Sequence, residues 1–559
     1  MYLLGLGTAP FLDPPEGFHA AVAQSLGRSG DWTTLRADGV RYFDKPPLLY
    51  WLMALGFRLA GPTETAARVW PALAALGVAA VTGWIGTMLS GPRVGLLAAL
   101  LVAVNTGTFV LGRQVKPDLL FVLFMLLAFA GFIVAYRGRG RWGLALFFGS
   151  LGVAALTKDF LGALAPFGIV AAFLWITRER PYGAWAPWWG VLLLIAIALP
   201  WYAAAERASH GFLWYTIVDN HVLNFARQRL YPDEDVPLGS LQFLGVTVVA
   251  FLPWVLAVPP ALVRALRPPW PDAQARLWGL LALWSVLVLG VVTLAPFKLP
   301  HYALPAFPAL ALLVARVWDE SIDALPGAVA PRVLLVPIVV VFAALGLALA
   351  LGALGRLPAP TGALQSVDVP ARNLAARGQT APWPPMETYV PIMLKGAVVF
   401  GLAAIGMAIA AWRRLPAIGV GVALAAMIAF LPMVGEGMAL FARERSARPI
   451  IAALTRRLGP GDVVVHEGPL EDTASLLLSV PAPVHVVRGL RSNLAFGATF
   501  PEARAVFWSE SRLEAAWTGA SRCFLVSTVD RGQSVTRALR PVHLLAEGGG
   551  RWLYSNRAD

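Results

Sequence analysis

Between residues 68 and 433 the chain is a succession of apolar runs separated by short connections that hold most of the charge. A helix must run for about 20 apolar residues to cross a hydrocarbon core about 30 Å thick. Runs of that order fall at 68–90, 93–111, 118–136, 142–157, 160–177, 186–204, 239–263, 277–296, 301–318, 332–354, 391–411 and 416–433. Composition agrees: the chain is 58% hydrophobic and 14% charged, against about 45–50% and about 25% for soluble domains. The expected fold is therefore a polytopic, all-α membrane domain of about 12–13 transmembrane helices over residues 1–440. The thirteenth would be Met1 to Leu12, apolar but too short to cross and lacking the basic start and cleavage site of a signal peptide, and read as the stub of a first span. Residues 13–46 form a polar first outward loop, and Pro47 to Ala60 reads as a helix along the interface. Abundant alanine and glycine in the spans suit close helix packing in lipid.

The connections sort into two sets. Every second one is short and basic: Arg93; Arg137, Arg139 and Arg141; Arg178 and Arg180; Arg264, Arg267 and Arg276; Arg316 and Arg332; Arg413 and Arg414. The positive-inside rule places these on the cytoplasmic side. The alternate connections then face outward together, with Asp13, Glu16, Asp44, Lys45, Arg113, Lys116, Asp118, Lys158, Asp159, the loop 205–238, Lys298, His301 and Tyr302. The net charge of +13 is accounted for by such topology signals and by contacts to lipid phosphates, so no nucleic-acid partner is expected. A single cysteine, Cys523, excludes an intrachain disulfide.

Residues 441–559 change character. Strand-like runs at 462–466, 483–487, 505–508 and 523–526 alternate with helical stretches at 448–458 and 512–518, which predicts a small α/β domain. Span parity puts it on the outward face. Residues 355–390 read as a long outward loop.

Ionisable groups at membrane depth are costly and mark functional sites. Here Lys45, Lys158, Lys298 and Arg113 each stand near the outer end of a different helix, an arrangement suited to a bound phosphate and poor in anything resembling a metal cluster. The carboxylates Asp13, Glu16, Asp44 and Asp118 lie among them, able to hydrogen-bond hydroxyls, bind an amine or accept a proton. The combination suggests group transfer from a lipid phosphate at the membrane surface. Fixed cations would stabilise the charge that develops on a phosphate leaving group.

The tracts Phe43-Asp44-Lys45-Pro46, Leu156-Thr157-Lys158, Leu199-Pro200-Trp201, Asn220-His221 and Lys298-Leu299-Pro300-His301-Tyr302 occur in the order found in bacterial C-type membrane glycosyltransferases. Over about residues 10–320 the chain resembles the 4-amino-4-deoxy-L-arabinose lipid A transferases within the protein O-mannosyltransferase superfamily. That resemblance implies a sugar carried on undecaprenyl phosphate and transferred in the periplasm, at the bacterial inner membrane, to lipid A or another envelope acceptor. It implies neither a nucleotide sugar nor an essential metal, and a monomer is expected. By the same resemblance Lys45 and Lys298 bind the donor phosphate with Lys158 assisting. Asp44 and Asp118 match acidic positions, and His221, Tyr302 and Arg113 contact substrate. Asp13-Pro14-Pro15-Glu16-Gly17-Phe18-His19 departs from the family's Pro-Asp-Glu loop: Glu16 keeps the place of the glutamate, and Pro15 stands where the aspartate belongs. Asp13, Glu16 and Asp118 are the candidate catalytic carboxylates, with Asp13 or Glu16 taking over the missing role.

The implied reaction is a single displacement, the lipid lying in a groove between spans while an acceptor oxygen attacks the anomeric carbon. Two other classes compete. A transporter or flippase for a lipid-linked saccharide would carry charge in mid-span and a path open to both faces, whereas these spans are nearly clean. An assembly subunit using the C-terminal domain as a binding module has no need of convergent cations. Transfer to protein is the alternative within the enzyme class.

Overall fold

In the computed structural model, residues 1–559 are described except 233, 234, 482, 491 and 559, with the backbone alone at 139 and 161. The chain opens with an irregular stretch and then forms α1 (Pro15–Ser29), the two-stranded β1 (Arg36–Ala37) and β2 (Val40–Arg41), and α2 (Leu48–Ala60). The membrane helices follow as α3 (Glu64–Ser90), α4 (Pro92–Ala103), α5 (Thr106–Gly112), α6 (Asp118–Val134), α7 (Gly140–Ala155), α8 (Leu161–Thr177), α9 (Trp188–Ala208), α10 (Ser240–Ala250), α11 (Val258–Leu266), α12 (Ala273–Leu294), α13 (Phe307–Ile322) and α14 (Pro331–Ala353). Two short helices, α15 (Thr361–Gln365) and α16 (Val369–Ala376), precede the long α17 (Val390–Arg413) and α18 (Pro416–Arg445). The remainder is α19 (Arg448–Thr455), β3 (Val463–Glu467), β4 (Val484–Val487), α20 (Glu510–Trp517), β5 (Cys523–Ser527), β6 (His543–Gly548) and β7 (Arg551–Ser555).

The protein is a multi-pass membrane protein. Each of the twelve expected spans has a helical counterpart, but they are of three kinds. Among the described residues, eight helices are long and apolar enough to cross, and two more spans are bent pairs: α4 with α5 at 60°, and α10 with the helical stretch from Trp254 to Leu266 at 101°. The remaining two, α7 and α8, have only 16 and 17 residues. The expected loops are also less bare than their composition suggests, since α1 lies within 13–46 and α15 and α16 within 355–390. Met1 to Leu12 forms no helix.

Helices approach closely where glycine allows it. A Cβ on Gly95 of α4 would sit 2.5 Å from the Gly83 carbonyl of α3, and one on Gly131 of α6 would sit 2.5 Å from the Phe147 amide of α7. These contacts put backbone against backbone, the arrangement small residues permit in lipid.

Charge separates between the two ends of the bundle. At one end Arg93 pairs with Asp319 and Asp323, Arg264 with Glu320, and Arg276 with Glu179. These pairs join four of the connections expected to be cytoplasmic. At the other end the irregular N-terminal stretch is held by two arginines. Arg68 of α3 reaches the carbonyls of Leu6 (2.7 Å), Ala9 (2.8 Å) and Pro10 (2.9 Å), and forks onto both oxygens of Glu16 at 2.8 and 2.6 Å. Glu16 in turn accepts from the amides of Leu12 and Val115, each at 3.0 Å. Non-helical backbone shut away from water must find partners, and these side chains supply them.

The C-terminal sheet has the order β4-β3-β5-β7-β6, with β4, β3 and β5 parallel and β7 antiparallel to both neighbours. Alternation along the strands gives it two apolar faces. Val465, Val487, Leu525 and Tyr554 pack under Leu513 and Trp517 of α20. Val464, Val486, Phe524, Val526 and Leu553 join the core that continues into the membrane domain. The tract 505–508 is not a strand: it follows a turn of 3₁₀ helix, Pro501–Ala505, and only Phe507 bridges to Val486. β6 and β7 lie beyond the strands anticipated.

Arg68 and Glu16 are almost wholly buried (3% and 2% exposed). Removing one partner of such a pair costs about 3–5 kcal/mol because the other charge is left uncompensated. Arg68→Ala is expected to lower the thermal midpoint of the detergent-purified protein well beyond Arg531→Ala, whose partner Glu547 is exposed.

Candidate functional site

At the end of the bundle that carries the C-terminal domain lies a cavity of about 950 Å³. Its polar end is built from four segments: Asp44 and Lys45, in the turn before α2; Lys158 and Asp159, between α7 and α8; Thr216, Asn220, His221 and Arg229, in the strap that follows α9; and Tyr302, in the 3₁₀ turn leading into α13. Its apolar end runs between α8 (Leu164, Gly168, Ile169) and α12 (Leu287, Val288, Val291), with Phe121 and Met125 of α6 at the back. No side chain intrudes at Gly168, where a Cβ would meet nothing within 4 Å.

The turn that carries Lys45 follows from the sequence. Pro46 and Pro47 cannot continue a helix inward and Pro47 caps α2, so the two charged residues are held in irregular chain at the helix mouth. The Lys45 ammonium donates to the carbonyl of Asp44 at 3.2 Å, while the Asp44 carboxylate accepts from the Tyr215 hydroxyl. Lys158 donates to Asp118 Oδ1 at 2.7 Å, and His301 Nε2 lies 3.6 Å from the same oxygen. The Lys158 ammonium also stands 4.3 Å from the centre of the Tyr302 ring, a cation–π contact.

The strap takes its shape from Asp219, which is fully buried. Its carboxylate accepts from the Leu230 amide at 2.7 Å and from Arg229 Nε at 3.3 Å. Arg229 also donates to Asn220 Oδ1 at 2.5 Å and to the Tyr215 hydroxyl at 3.4 Å, which turns its guanidinium into the cavity wall. Residues Trp214–Leu223 form a π-helix, a rare geometry that accompanies functional sites. Within it His221 Nε2 lies 3.5 Å from Asp159 Oδ2. Burial works against the charge on His221, but Asp159 outweighs it and raises the imidazole above its ordinary pKa. Burial likewise opposes ionisation of Asp159, and His221 reverses this, so its carboxyl is held below the usual range.

Of the residues the sequence singled out, Asp44, Lys45, Lys158, His221 and Tyr302 meet in this cavity, with Asp118 behind Lys158. The others are placed elsewhere. Asp13 accepts from the Ser475 amide at 3.1 Å and from its hydroxyl, and lines a separate small cavity of about 50 Å³ with Arg445 and Arg551. Burial raises its pKa to about 7. Glu16 is occupied by Arg68. Arg113 donates to the carbonyls of Met1, Leu4 and Gly5 at 3.0, 2.8 and 3.0 Å. Lys298 is buried outside the cavity, its ammonium on Ser240 Oγ at 3.0 Å. Arg113, Glu16 and Asp13 meet main-chain carbonyls or amides of irregular segments, and Lys298 joins its turn to the head of α10.

Arg229, Tyr215 and Asp159 were not anticipated as site residues. For Tyr215 and Arg229 the signal was the interleaving of aromatic, amide and basic residues over 214–231, which composition alone marks only as loop, and for Asp159 it was its place beside Lys158. Among the described residues no group of three or more His, Cys, Asp or Glu side chains is placed to hold a metal ion.

A bundle of this topology, with a lateral apolar groove ending in a ring of cations beneath a small α/β domain, has the architecture of the C-type membrane glycosyltransferases. Residues 31–216 match the family described as dolichyl-phosphate-mannose-protein mannosyltransferase. The fold is that of ArnT. The crystal structure of ArnT from Cupriavidus metallidurans bound to undecaprenyl phosphate superimposes with a TM-score of 0.79 at 22% identity, covering 100% of this chain and 96% of that one. Among curated relatives, an undecaprenyl phosphate-alpha-4-amino-4-deoxy-L-arabinose arabinosyl transferase of Edwardsiella ictaluri is 29% identical over 323 residues, 56% of each chain. A second, from Pseudomonas fluorescens, is 30% identical over 335 residues, 58% of each. The chain thus spans a little over half the length of the curated relatives it matches.

Glu471 of the C-terminal domain is buried. One of its oxygens accepts from the Asn493 amide at 2.8 Å and the other has no partner. Burial, reinforced by nearby Asp472 and Asp44, raises its pKa from 4.5 to about 8. The folded protein therefore keeps a proton here that the unfolded chain releases near pH 4.5. This stabilisation is complete below that pH and is lost as pH rises toward 8, at about 1.4 kcal/mol per pH unit for one proton. Glu471→Gln is expected to flatten the fall in thermal midpoint between pH 5 and 8 by about one proton's worth.

Proposed function

We propose that the chain is an integral-membrane glycosyltransferase that moves a sugar from undecaprenyl phosphate to an acceptor, lipid A or another envelope glycolipid or glycan, at the periplasmic face of a bacterial inner membrane. The observation that carries this reading is the continuity of the cavity. A groove between the near halves of α8 and α12, apolar from Leu164 to Ile169 and from Leu287 to Val292, ends at Lys45, Lys158 and Arg229. Such a shape fits a ligand with a long hydrocarbon tail and a phosphate head, and it fits few others. The names of the relatives supply the polyprenyl phosphate and the sugar class.

In this reading Lys45 and Arg229 flank the donor phosphate, the role that Lys298 was expected to share. Lys158, paired with Asp118, adds positive potential beside Tyr302. The acceptor oxygen forms its bond to the anomeric carbon as the carbon–oxygen bond to the phosphate breaks, and undecaprenyl phosphate leaves with the bonding pair. Cations fixed in place stabilise that departing charge without reorganising. A phosphate acceptor is already anionic and needs no base. A hydroxyl acceptor passes its proton to a carboxylate, and those lining the cavity are Asp44 and Asp159, in place of Asp13 and Glu16.

Transfer from undecaprenyl-phosphate sugars to purified lipid A, read by mass shift in detergent, tests the proposal. The wild type is expected to give the shift, and Lys45→Ala to lose it by about a hundredfold or more. Gly168→Trp, which fills the groove, is expected to raise KM for the long-chain donor and to spare a short-chain analogue. Full activity in Lys45→Ala would overturn the assignment of the phosphate site.

A further inference from the structure

The contact that holds the polar end of the cavity in shape comes from the C-terminal domain. Its segment 492–502 enters between the turn that carries Lys45 and the strap that carries Arg229. Phe496 lies flat on Tyr215, with ring centres 4.5 Å apart and planes within 5°, and meets Phe43 at 5.1 Å and Tyr231 at 5.2 Å. Phe500 packs against Phe43 at 5.6 Å and beneath the Arg41 guanidinium at 4.3 Å. Polar contacts fasten the same segment, with Arg41 Nε donating to Glu502 at 2.5 Å and Arg36 Nη1 to Glu502 at 3.2 Å, while Arg41 Nη1 donates to the Ala208 carbonyl at the end of α9 at 2.6 Å.

Neither Phe496 nor Tyr215 lines the cavity. Tyr215 nevertheless controls two residues that do, because its hydroxyl donates to Asp44 and accepts from Arg229 Nη2 at 3.4 Å. This matters for Lys45. The ammonium donates to a neutral carbonyl and forms no ion pair with the adjoining carboxylate, which the Tyr215 hydroxyl engages instead. A phenol released from its stack can leave Asp44, and a carboxylate one residue from an ammonium then neutralises it. The cation would be lost to the phosphate.

We propose that Phe496 is a positioning residue for the reaction: by stacking on Tyr215 it holds the hydroxyl that keeps Asp44 off Lys45 and aims Arg229, so the C-terminal domain sets the geometry of the phosphate-binding end. This rests on the reading that the cavity binds a polyprenyl phosphate. A stacked aromatic pair contributes beyond its buried area through ring geometry. An aliphatic side chain of similar volume does not replace it.

The test uses the full chain in detergent, with undecaprenyl phosphate itself as the binding probe by native mass spectrometry, alongside the transfer assay and thermal midpoints. Phe496→Ala is expected to weaken binding of undecaprenyl phosphate, and to raise KM for the sugar-bearing donor, by about fivefold. Its thermal midpoint is expected to fall below that of the surface control Arg531→Ala because Phe496 is buried, and Phe496→Leu, which keeps most of the volume, separates that cost from the loss of the stack. Phe496→Tyr restores both parameters. Tyr215→Phe, which keeps the stack and removes the hydroxyl, gives a similar loss, and the double variant Tyr215→Phe/Phe496→Ala is no worse than Tyr215→Phe alone. If Phe496→Ala does not fold, Phe496→Leu carries the same comparison. Binding by Phe496→Ala within twofold of wild type, or losses that multiply in the double variant, would overturn the proposal. A wild type that binds undecaprenyl phosphate with this coupling but transfers nothing would sink the glycosyltransferase reading and leave the positioning role standing; no binding at all by the wild type overturns both.

Discussion

The Arg68–Glu16 pair is the point from which the end of the bundle that carries the cavity is organised. One guanidinium satisfies three carbonyls of an irregular stretch and a carboxylate at the head of α1. That carboxylate also holds the amide of Val115, just before the turn into α6. Residues far apart in sequence are thereby fixed on one helix of the bundle. Because both charges are buried, the pair tolerates no half-measures: together they are satisfied, and singly each is a penalty. Once α1 is placed, β1, β2 and the turn carrying Asp44 and Lys45 have only a short tether in which to find their positions.

The site is assembled on that platform from short irregular segments at helix ends. Each cation is held differently. Lys158 has a carboxylate, Arg229 a buried aspartate and an amide oxygen, and Lys45 a main-chain carbonyl. Graded in this way, the cations differ in how readily they can accept an incoming anion, and Lys45 is the least committed of them. The apolar groove needs no such provision, since α8 leaves room at Ala165 and Gly168 and α12 presents Leu287, Val288 and Val291.

Much of this was legible in the sequence. Run lengths located a helix or bent helix pair for each of twelve expected spans, eight of them long and apolar enough to cross alone, and the arginine-rich connections proved to be tied together at one end by Glu179, Asp319, Glu320 and Asp323. Asp44, Lys45, Lys158, His221 and Tyr302 were found as charged or polar residues at outward helix ends. What the pattern could not distinguish was a charge serving a ligand from a charge serving the backbone. Arg113, Lys298, Glu16 and Asp13 read the same way in sequence as the cavity residues, and only tertiary structure shows that they are engaged outside the cavity. Arg229 was missed for the converse reason, because it lies in a loop without apolar periodicity and is aimed by a buried aspartate ten residues away.

The order of the C-terminal sheet bears on when the site comes into being. β7 (Arg551–Ser555) lies between β5 and β6, inside the sheet, and Arg551 clamps the carbonyls of Arg445 and Asp472. The segment bearing Phe496 is therefore anchored to a domain whose interior closes only when β7 has been made. During synthesis every membrane helix, and Lys45 among the first of the site residues, leaves the ribosome before that strand does. The groove between α8 and α12 is therefore complete in the growing chain well before the segment that packs against its polar end is anchored.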